Sequence, residues 1–330
     1  MIVTKTPLRI SFFGGGSDIP DFYVHYKGMV VSTTIDKYIQ LAVNKCKTDH
    51  IRVIYSEMEI TNNVDDIKHD RVRAALKRFS INNNIEICSF SDVPTKGTGL
   101  GSSSTFTVGM VNALYQLGAY SYYGHLRRYN KKDIAEMACN IEIDDCKQPI
   151  GKQDQYAAAY GGFNIIRFDS SGIEVTPINV NSSTLINLNN NLLCFSTGIS
   201  RQTSDILQKQ IKGLQIGTNL EMTKSLVQMA EQSIKFLKYE NIDDFGSLLH
   251  ESWEIKKKLA ANISNEYIDE MYDLARKNGA LGGKILGAGG GGYLLLYVQN
   301  KNKLRLMQAM AKYKLFNFNF TDTGSVAITI

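Results

Sequence analysis

The chain has 330 residues, 43% of them hydrophobic, which is enough for a full core and about two domains. Its net charge of +5 suits an anionic substrate, but charged residues make up only 21% and no dense Lys/Arg block occurs, so a nucleic-acid partner is not expected. The five cysteines are scattered without a CxxC pair, arguing against a zinc site or a disulfide framework, and neither a signal-peptide core nor an apolar run of transmembrane length is found, so a soluble cytoplasmic protein with no membrane partner is expected.

Short β-branched and aromatic runs at Leu8–Phe13, Met29–Ile35, Tyr38–Val43 and Ile51–Tyr55 predict strands, with Asp36-Lys37 turning a hairpin between two of them. Val72–Phe79 reads as a short helix and Ile85–Phe90 as a strand. Ser103–Leu117 reads as a largely buried helix. Asp133 is placed to cap a helix carrying the stripe Ile134, Met137, Ala138 and Ile141. Strands are expected at Phe163–Phe168 and Ile173–Ile178. A boundary fits the Asn- and Ser-rich stretch Asn179–Asn191.

Beyond it come a strand, Leu192–Phe195, and four helices at Thr203–Leu214, Glu221–Leu237, Ile242–Ala261 and Asn265–Asn278. Gly279 fits the residue that ends the last of them. A glycine cluster, a strand at Tyr293–Val298 and a helix at Lys303–Lys312 follow. The end of the chain reads as a strand with Phe316, Phe318 and Phe320 on one face, a turn at Thr321–Gly324 and a closing strand, Val326–Ile330. Strands dominate the first half and mix with helices in the second, an α+β pattern.

The segment Lys96-Gly97-Thr98-Gly99-Leu100-Gly101-Ser102-Ser103-Ser104 is the most informative. Alternating glycines let backbone N–H groups converge, and a helix N-terminus follows, so the segment suits a phosphate. It is not a Walker A loop, because Ser102 rather than lysine follows Gly101. It is a poor Rossmann fingerprint, because no acid occurs between Thr105 and Lys132 to hold a ribose. A turn that only caps the helix stays open.

Thr98–Ser104 resembles the central phosphate-loop motif of the GHMP kinases, the family of galactokinase, homoserine kinase, mevalonate kinase and phosphomevalonate kinase. Two more motifs resemble the family's in the right order, Thr6-Pro7-Leu8-Arg9-Ile10-Ser11-Phe12-Phe13-Gly14 and Gly283-Lys284-Ile285-Leu286-Gly287-Ala288-Gly289-Gly290-Gly291-Gly292. The resemblance implies an ATP-dependent kinase with an alcohol group as acceptor, using Mg2+. It also implies the two-domain α+β architecture. Residues 1–185 would form a ribosomal S5 domain 2-like domain and residues 186–330 a ferredoxin-like one. A monomer or homodimer is expected.

Carried onto this sequence, the resemblance places ATP phosphates on residues 96–104, with Ser103 and Glu142 as oxygen ligands to Mg2+. It makes Asp154 the group that receives or orients the acceptor hydroxyl, and Arg9 the fixed cation beside it. Gly14, Gly15, Gly16, Ser17 and Asp18 would contact the sugar. Galactokinases carry Gly-Glu-His where this chain has Gly14-Gly15-Gly16, so a larger or phosphorylated sugar is expected. The pattern is most similar to that of heptose 7-phosphate kinases, which implies a sugar-phosphate substrate, its phosphate met by Arg201 or Lys152.

Plainer readings of the same residues are a solvated helix glutamate for Glu142 and an Asx-turn for Asp154. Arg9 reads equally as a solvent-facing strand residue, Asp18 as a helix cap, and Arg201 and Lys152 as surface charge. The nearest alternative is another sugar kinase of the same family, fucokinase-like or galactokinase-like; an ATP-dependent decarboxylase and a non-enzymatic sensor on the same fold are the others.

Overall fold

The computed structural model describes residues 1–94, 97–119, 129–200 and 204–330. The chain opens with β1 (Ile2–Phe13), α1 (Pro20–Tyr26) and the eighteen-residue β2 (Gly28–Lys45). The hairpin β3 (Ile51–Ile54) and β4 (Met58–Thr61) leads to α2 (Asp70–Arg78), β5 (Ile85–Ser91) and α3 (Ser102–Ala119). Next come α4 (Lys131–Cys139), which runs into a π-helical turn at Asn140–Asp145, then α5 (Gln153–Tyr160), β6 (Phe163–Asp169) and β7 (Gly172–Pro177).

The second half holds α6 (Ser182–Asn190), β8 (Leu192–Ser196), α7 (Ser204–Gln215), α8 (Leu220–Lys238), α9 (Ile242–Lys256) and α10 (Glu266–Lys277). It ends with β9 (Ala280–Ile285), β10 (Tyr293–Val298), α11 (Asn300–Ala309), β11 (Phe320–Thr321) and β12 (Val326–Thr329).

Among the described residues, a nine-stranded sheet is ordered β12-β1-β2-β5-β3-β4, with β6 and β11 joined along β2 and β7 paired to β6. A second sheet, β8-β10-β9, is antiparallel throughout. β2 organises the large sheet by changing neighbours along its length. Its first part pairs with β6 and its last part with β5, while β1 pairs with it along both.

Asp36 and Lys37 therefore do not turn a hairpin, as the sequence suggested. They are two extra residues bulged out of one strand, since Pro7 pairs with Tyr38 and Leu8 with Ile35. Pro7 has no N–H to offer the ladder, and such residues sit at bulges. The bulge is pinned by Asn319, whose backbone and side-chain N–H groups donate to the Asp36 carboxylate at 2.8 and 2.9 Å.

Other expectations shift for local reasons. Asn130, not Asp133, caps α4, and Asp133 returns a bond to the Asn130 N–H in a capping box. The Asn- and Ser-rich stretch contains a helix, α6. Ala280–Ile285 is a strand that its glycines disguised, because α9 lies too close to Gly282 for a side chain. α9 stops at Lys256, short of Ala261. Of the phenylalanine run near the end, only Phe320 pairs as a strand, with Ile35.

The two sheets meet through an aromatic wedge. Phe245 of α9 sits edge-on to Phe12 and Phe13 of β1, with ring centroids 5.3 and 5.0 Å apart. All three rings are fully buried. Trp253, also fully buried, packs within the second half and offers no surface for stacking a base. Deleting a buried aromatic ring costs about 3–5 kcal/mol. Phe245→Ala is expected to lower unfolding stability by that amount in urea titration, whereas Tyr239→Ala, at 77% exposure, should change it by less than about 0.5 kcal/mol.

Candidate active site

A cleft runs between the end of β1, the start of α3, α5 and the loop after β9. Arg9, Asp18, Gly97–Gly99, Ser103, Glu142 and Asp154 line it together with Lys256 and Lys284. Most of the residues proposed from the sequence thus converge on one space, although they are far apart in the chain.

The glycine loop at 97–101 is packed against the third glycine motif on one side and Arg9 on the other. Gly99 has φ of 74°, and a side chain there would overlap the Leu286 carbonyl of the third motif. The loop's shape is therefore fixed by backbone-to-backbone packing, which only glycine permits. Ser102 and Ser104 are buried in the first turn of α3, while Ser103 is exposed to the cleft. Leu100 does not face the cleft. Its side chain is core and its carbonyl accepts the Arg9 N–H at 3.1 Å. Lys96 lies outside the described residues.

Arg9 is 4% exposed, so the solvent-facing reading fails. Its Nε and Nη2 donate to Asp154 Oδ1 and Oδ2 at 2.7 and 2.6 Å, a two-pronged pair, and its Nη1 donates to the Gly99 carbonyl at 2.6 Å. Asp154 sits in the first turn of α5 with its side chain 22% exposed toward the cleft.

Glu142 is fully buried, not a solvated helix residue. It lies in the π-helical turn, an irregularity often found at functional sites. Arg71 Nε donates to its Oε1 at 2.9 Å and Gln155 Nε2 to its Oε2 at 2.6 Å. Burial works to lower the Arg71 pKa, but the Glu142 carboxylate outweighs it and the net direction is upward. Among the described residues no group of three His, Cys, Asp or Glu side chains is arranged for a metal. A carboxylate and a hydroxyl do face one cleft, and that donor set fits Mg2+, which takes few protein oxygens and the rest from phosphates and water.

Asp18 is buried, and its carboxylate accepts the N–H groups of Gly16 and Gln153 at 2.9 and 3.2 Å. Burial raises its pKa, and the nearby Asp154 adds to that against the two N–H bonds. Ser17 and Gly14 do not reach the cleft. Ser17 Oγ is 2.7 Å from the Gly14 carbonyl and accepts the Met29 N–H at 3.0 Å, tying the turn to β2. Lys152 brings its backbone to the site, donating to the Asp18 carbonyl at 3.3 Å, but its side chain does not line the cleft. Arg201 lies outside the described residues.

Sequence reasoning missed the cations from the second half. Lys256, the last residue of α9, is buried and donates to the Gly287 carbonyl at 2.7 Å. Lys284 of β9 is buried and donates to the carbonyls of Ser11 and Phe12 at 2.9 and 2.8 Å. Burial brings the Lys256 pKa down to about 8, with Arg9 adding to the effect and Asp18 and Asp154 opposing it. Burial likewise pushes Lys284 well down, helped by Lys256 and Arg9. Lys284 stands inside a quoted motif, so its position was a signal. Lys256 stands in a run of three lysines that reads as an ordinary helix end.

Family models for the N-terminal domain of GHMP kinases and for the C-terminal domain of GHMP kinases match residues 69–162 and 230–315. The chain is 31% identical over 316 residues to the D-glycero-alpha-D-manno-heptose 7-phosphate kinase of Campylobacter jejuni, covering 90% of this chain and 89% of that one. It is 24% identical to the galactokinase of Thermosipho africanus, over 88% of each chain. The solved D-glycero-D-manno-heptose 1-phosphate kinase of Bacteroides thetaiotaomicron has the same fold, with a TM-score of 0.80 at 23% identity over 100% of this chain and 99% of that one. The chain belongs to the GHMP kinase family, with that family's two-domain fold of mixed helix and sheet. It is an ATP-dependent phosphotransferase with an alcohol group as acceptor. Among the described residues no helix is long and apolar enough to cross a membrane.

The lowered Lys256 pKa sets a stability test. An unfolded lysine keeps its proton to about 10.5. Below pH 8 both states carry the proton and the burial cost is present in full. As the pH rises from about 8 toward about 10.5 the folded chain loses its proton first, and stability rises. Ligand-free Lys256→Met should therefore melt above the parent at pH 7, with the gap closing through that window, as followed by thermal unfolding monitored by circular dichroism.

Proposed function

We propose that this chain is a cytoplasmic kinase that transfers the γ-phosphoryl group of ATP to the anomeric hydroxyl of D-glycero-D-manno-heptose 7-phosphate. The product is the 1,7-bisphosphate, a precursor of nucleotide-activated heptose for surface polysaccharide. The observation that carries this reading is the near full-length similarity to the Campylobacter kinase of that substrate.

The geometry supports a division of labour. The N–H groups at 97–104 and the start of α3 receive the phosphates of ATP. A second cavity adjoins at Arg71, Ser102 and Ser103 and continues to Tyr55, His69 and Phe106, where the His69 and Phe106 rings stack at 4.9 Å. Its aromatic walls suit the adenine base. Ser103 and Glu142 would hold Mg2+, which when bound supplies positive charge at the phosphates.

The acceptor hydroxyl lies against Asp154. Arg9 fixes both carboxylate oxygens, so Asp154 enters the reaction already oriented and receives the hydroxyl proton as the new bond forms. Phosphoryl transfer builds little charge on the nucleophile, so the placement of this carboxylate is its main contribution. Asp18 accepts hydrogen bonds from sugar hydroxyls at the same end.

A coupled ADP-release assay tests the reading. The expected result is kcat/KM for the heptose 7-phosphate about 100-fold above that for mannose, fucose or galactose, with a new anomeric phosphate in the phosphorus NMR spectrum. Activity confined to unphosphorylated hexoses would overturn it. Asp154→Asn should lower kcat by about 10²–10⁴-fold while ATP affinity in calorimetry moves less than about threefold; undiminished turnover would remove Asp154 from its role.

A further inference from the structure

Gly15 lies on the floor of the cleft and leaves a small recess above it. A side-chain carbon built there would meet no backbone atom nearby. Its nearest neighbours are Gln153 Nε2 at 3.7 Å, Ser11 Oγ at 3.8 Å and Lys256 Nζ at 3.9 Å. All three groups donate hydrogen bonds, and they come from three separate parts of the chain. Beside them, Gln210 of α7 is 5% exposed and lines the same cleft. Its Oε1 is 3.9 Å from the corresponding point on Gly16, and its Nε2 is buried without a partner among the described residues.

Lys256 has three N–H donors, and the one bond it makes among the described residues is to the Gly287 carbonyl. A buried ammonium served by one carbonyl is under-compensated. The ionisable groups that bear on it are Arg9 on β1, Asp18 in the turn before α1, Asp154 on α5 and Lys284 on β9. Arg9 is engaged by Asp154, and Asp18 by two N–H groups, so neither carboxylate forms an ion pair with Lys256.

We infer that the recess over Gly15 seats the phosphate group of the sugar-phosphate substrate, with Lys256 as its charge partner and Ser11 and Gln153 as neutral donors. This rests on the reading above that the acceptor carries a phosphate. The recess is formed partly by Ser11 and Gly15 of the first motif, beside Asp18, which places it at the acceptor's end of the cleft. The phosphates of ATP have their own donors on the loop at 97–104. The downward pull on the Lys256 pKa to about 8 agrees with a cation short of negative charge, which a phosphate dianion supplies.

The test compares heptose 7-phosphate with unphosphorylated heptose in the ADP-release assay, using the parent, Lys256→Met, Lys256→Arg and Gly15→Asp. Losing one charge-assisted contact corresponds to about a 10- to 100-fold loss of affinity. KM for the sugar phosphate should rise by that factor in Lys256→Met and recover in part in Lys256→Arg. kcat should move much less, and KM for the free heptose should shift by less than about threefold. Gly15→Asp, whose Cβ has no backbone atom among its nearest neighbours, brings a negative charge beside Lys256; it should raise KM for the sugar phosphate selectively and so tests the site without altering Lys256. Parallel KM increases for both sugars, an unmoved KM for the sugar phosphate, or a fall confined to kcat would overturn the assignment. A parent enzyme that accepts only free sugars would overturn the proposed function itself, a result read before any variant is made and distinct from failure of the Lys256 assignment.

Discussion

Arg9 ties together two distant parts of the chain, the first turn of α5 and the glycine loop at 97–101. Two guanidinium nitrogens hold Asp154, the third holds the Gly99 carbonyl, and the Arg9 backbone N–H holds the Leu100 carbonyl. The planar fork fixes angles as well as distances, which a lysine ammonium would not do. Asp154 and the glycine loop, to which the proposed function assigns the acceptor hydroxyl and the phosphates of ATP, are thereby referred to one strand, β1. In-line transfer depends on that relation, since small misplacements of reacting groups cost large factors in rate.

β1 can serve as this reference because it is clamped along its length. β2 and β12 pair with it on its two edges, and the rings of Phe12 and Phe13 are locked by Phe245 from α9. Lys284 adds a second tie from the other half by capping the carbonyls of Ser11 and Phe12. These carbonyls leave the ladder where the register shifts between Ser11 and Phe13, so the ammonium satisfies groups the sheet leaves over. The same residue therefore joins the two halves and stiffens the strand end that leads into Gly14–Gly16.

Much of this was legible in the sequence, for identifiable reasons. Arg9, the glycine loop, Glu142 and Asp154 stand in local patterns whose residue types already state a chemistry, and they converge on one cleft. Runs such as Met29–Ile35 and Tyr38–Val43 were legible as strands, but their union was not. A two-residue bulge and a two-residue hairpin turn look alike until the register is known. Ala280–Ile285 hid because its glycines answer a tertiary demand, the closeness of α9, that no local propensity reports. Lys256 hid for the opposite reason, since a lysine at a helix end is unremarkable until burial makes it costly. Ser17 misled because its neighbours in the motif face the cleft while its hydroxyl is used up inside the turn.

The distribution of charge follows from the same architecture. Arg9, Asp18 and Asp154 come from the first half of the chain, Lys256 and Lys284 from the second. Arg9 and Asp154 neutralise each other at bonding distance, and Asp18 leans on backbone N–H groups. Among the described residues the two lysines donate only to carbonyls. Carbonyl dipoles stabilise an ammonium less than a paired anion does, so the second half brings cations without a direct ion pair, among the described residues, to a cleft whose glycine loop is itself lined with N–H donors. An anionic ligand placed there would interact with residues of both halves at once. On the proposed reading, such a ligand would offset the burial cost of Lys256 while Lys284, which bonds β1, keeps the two halves in register.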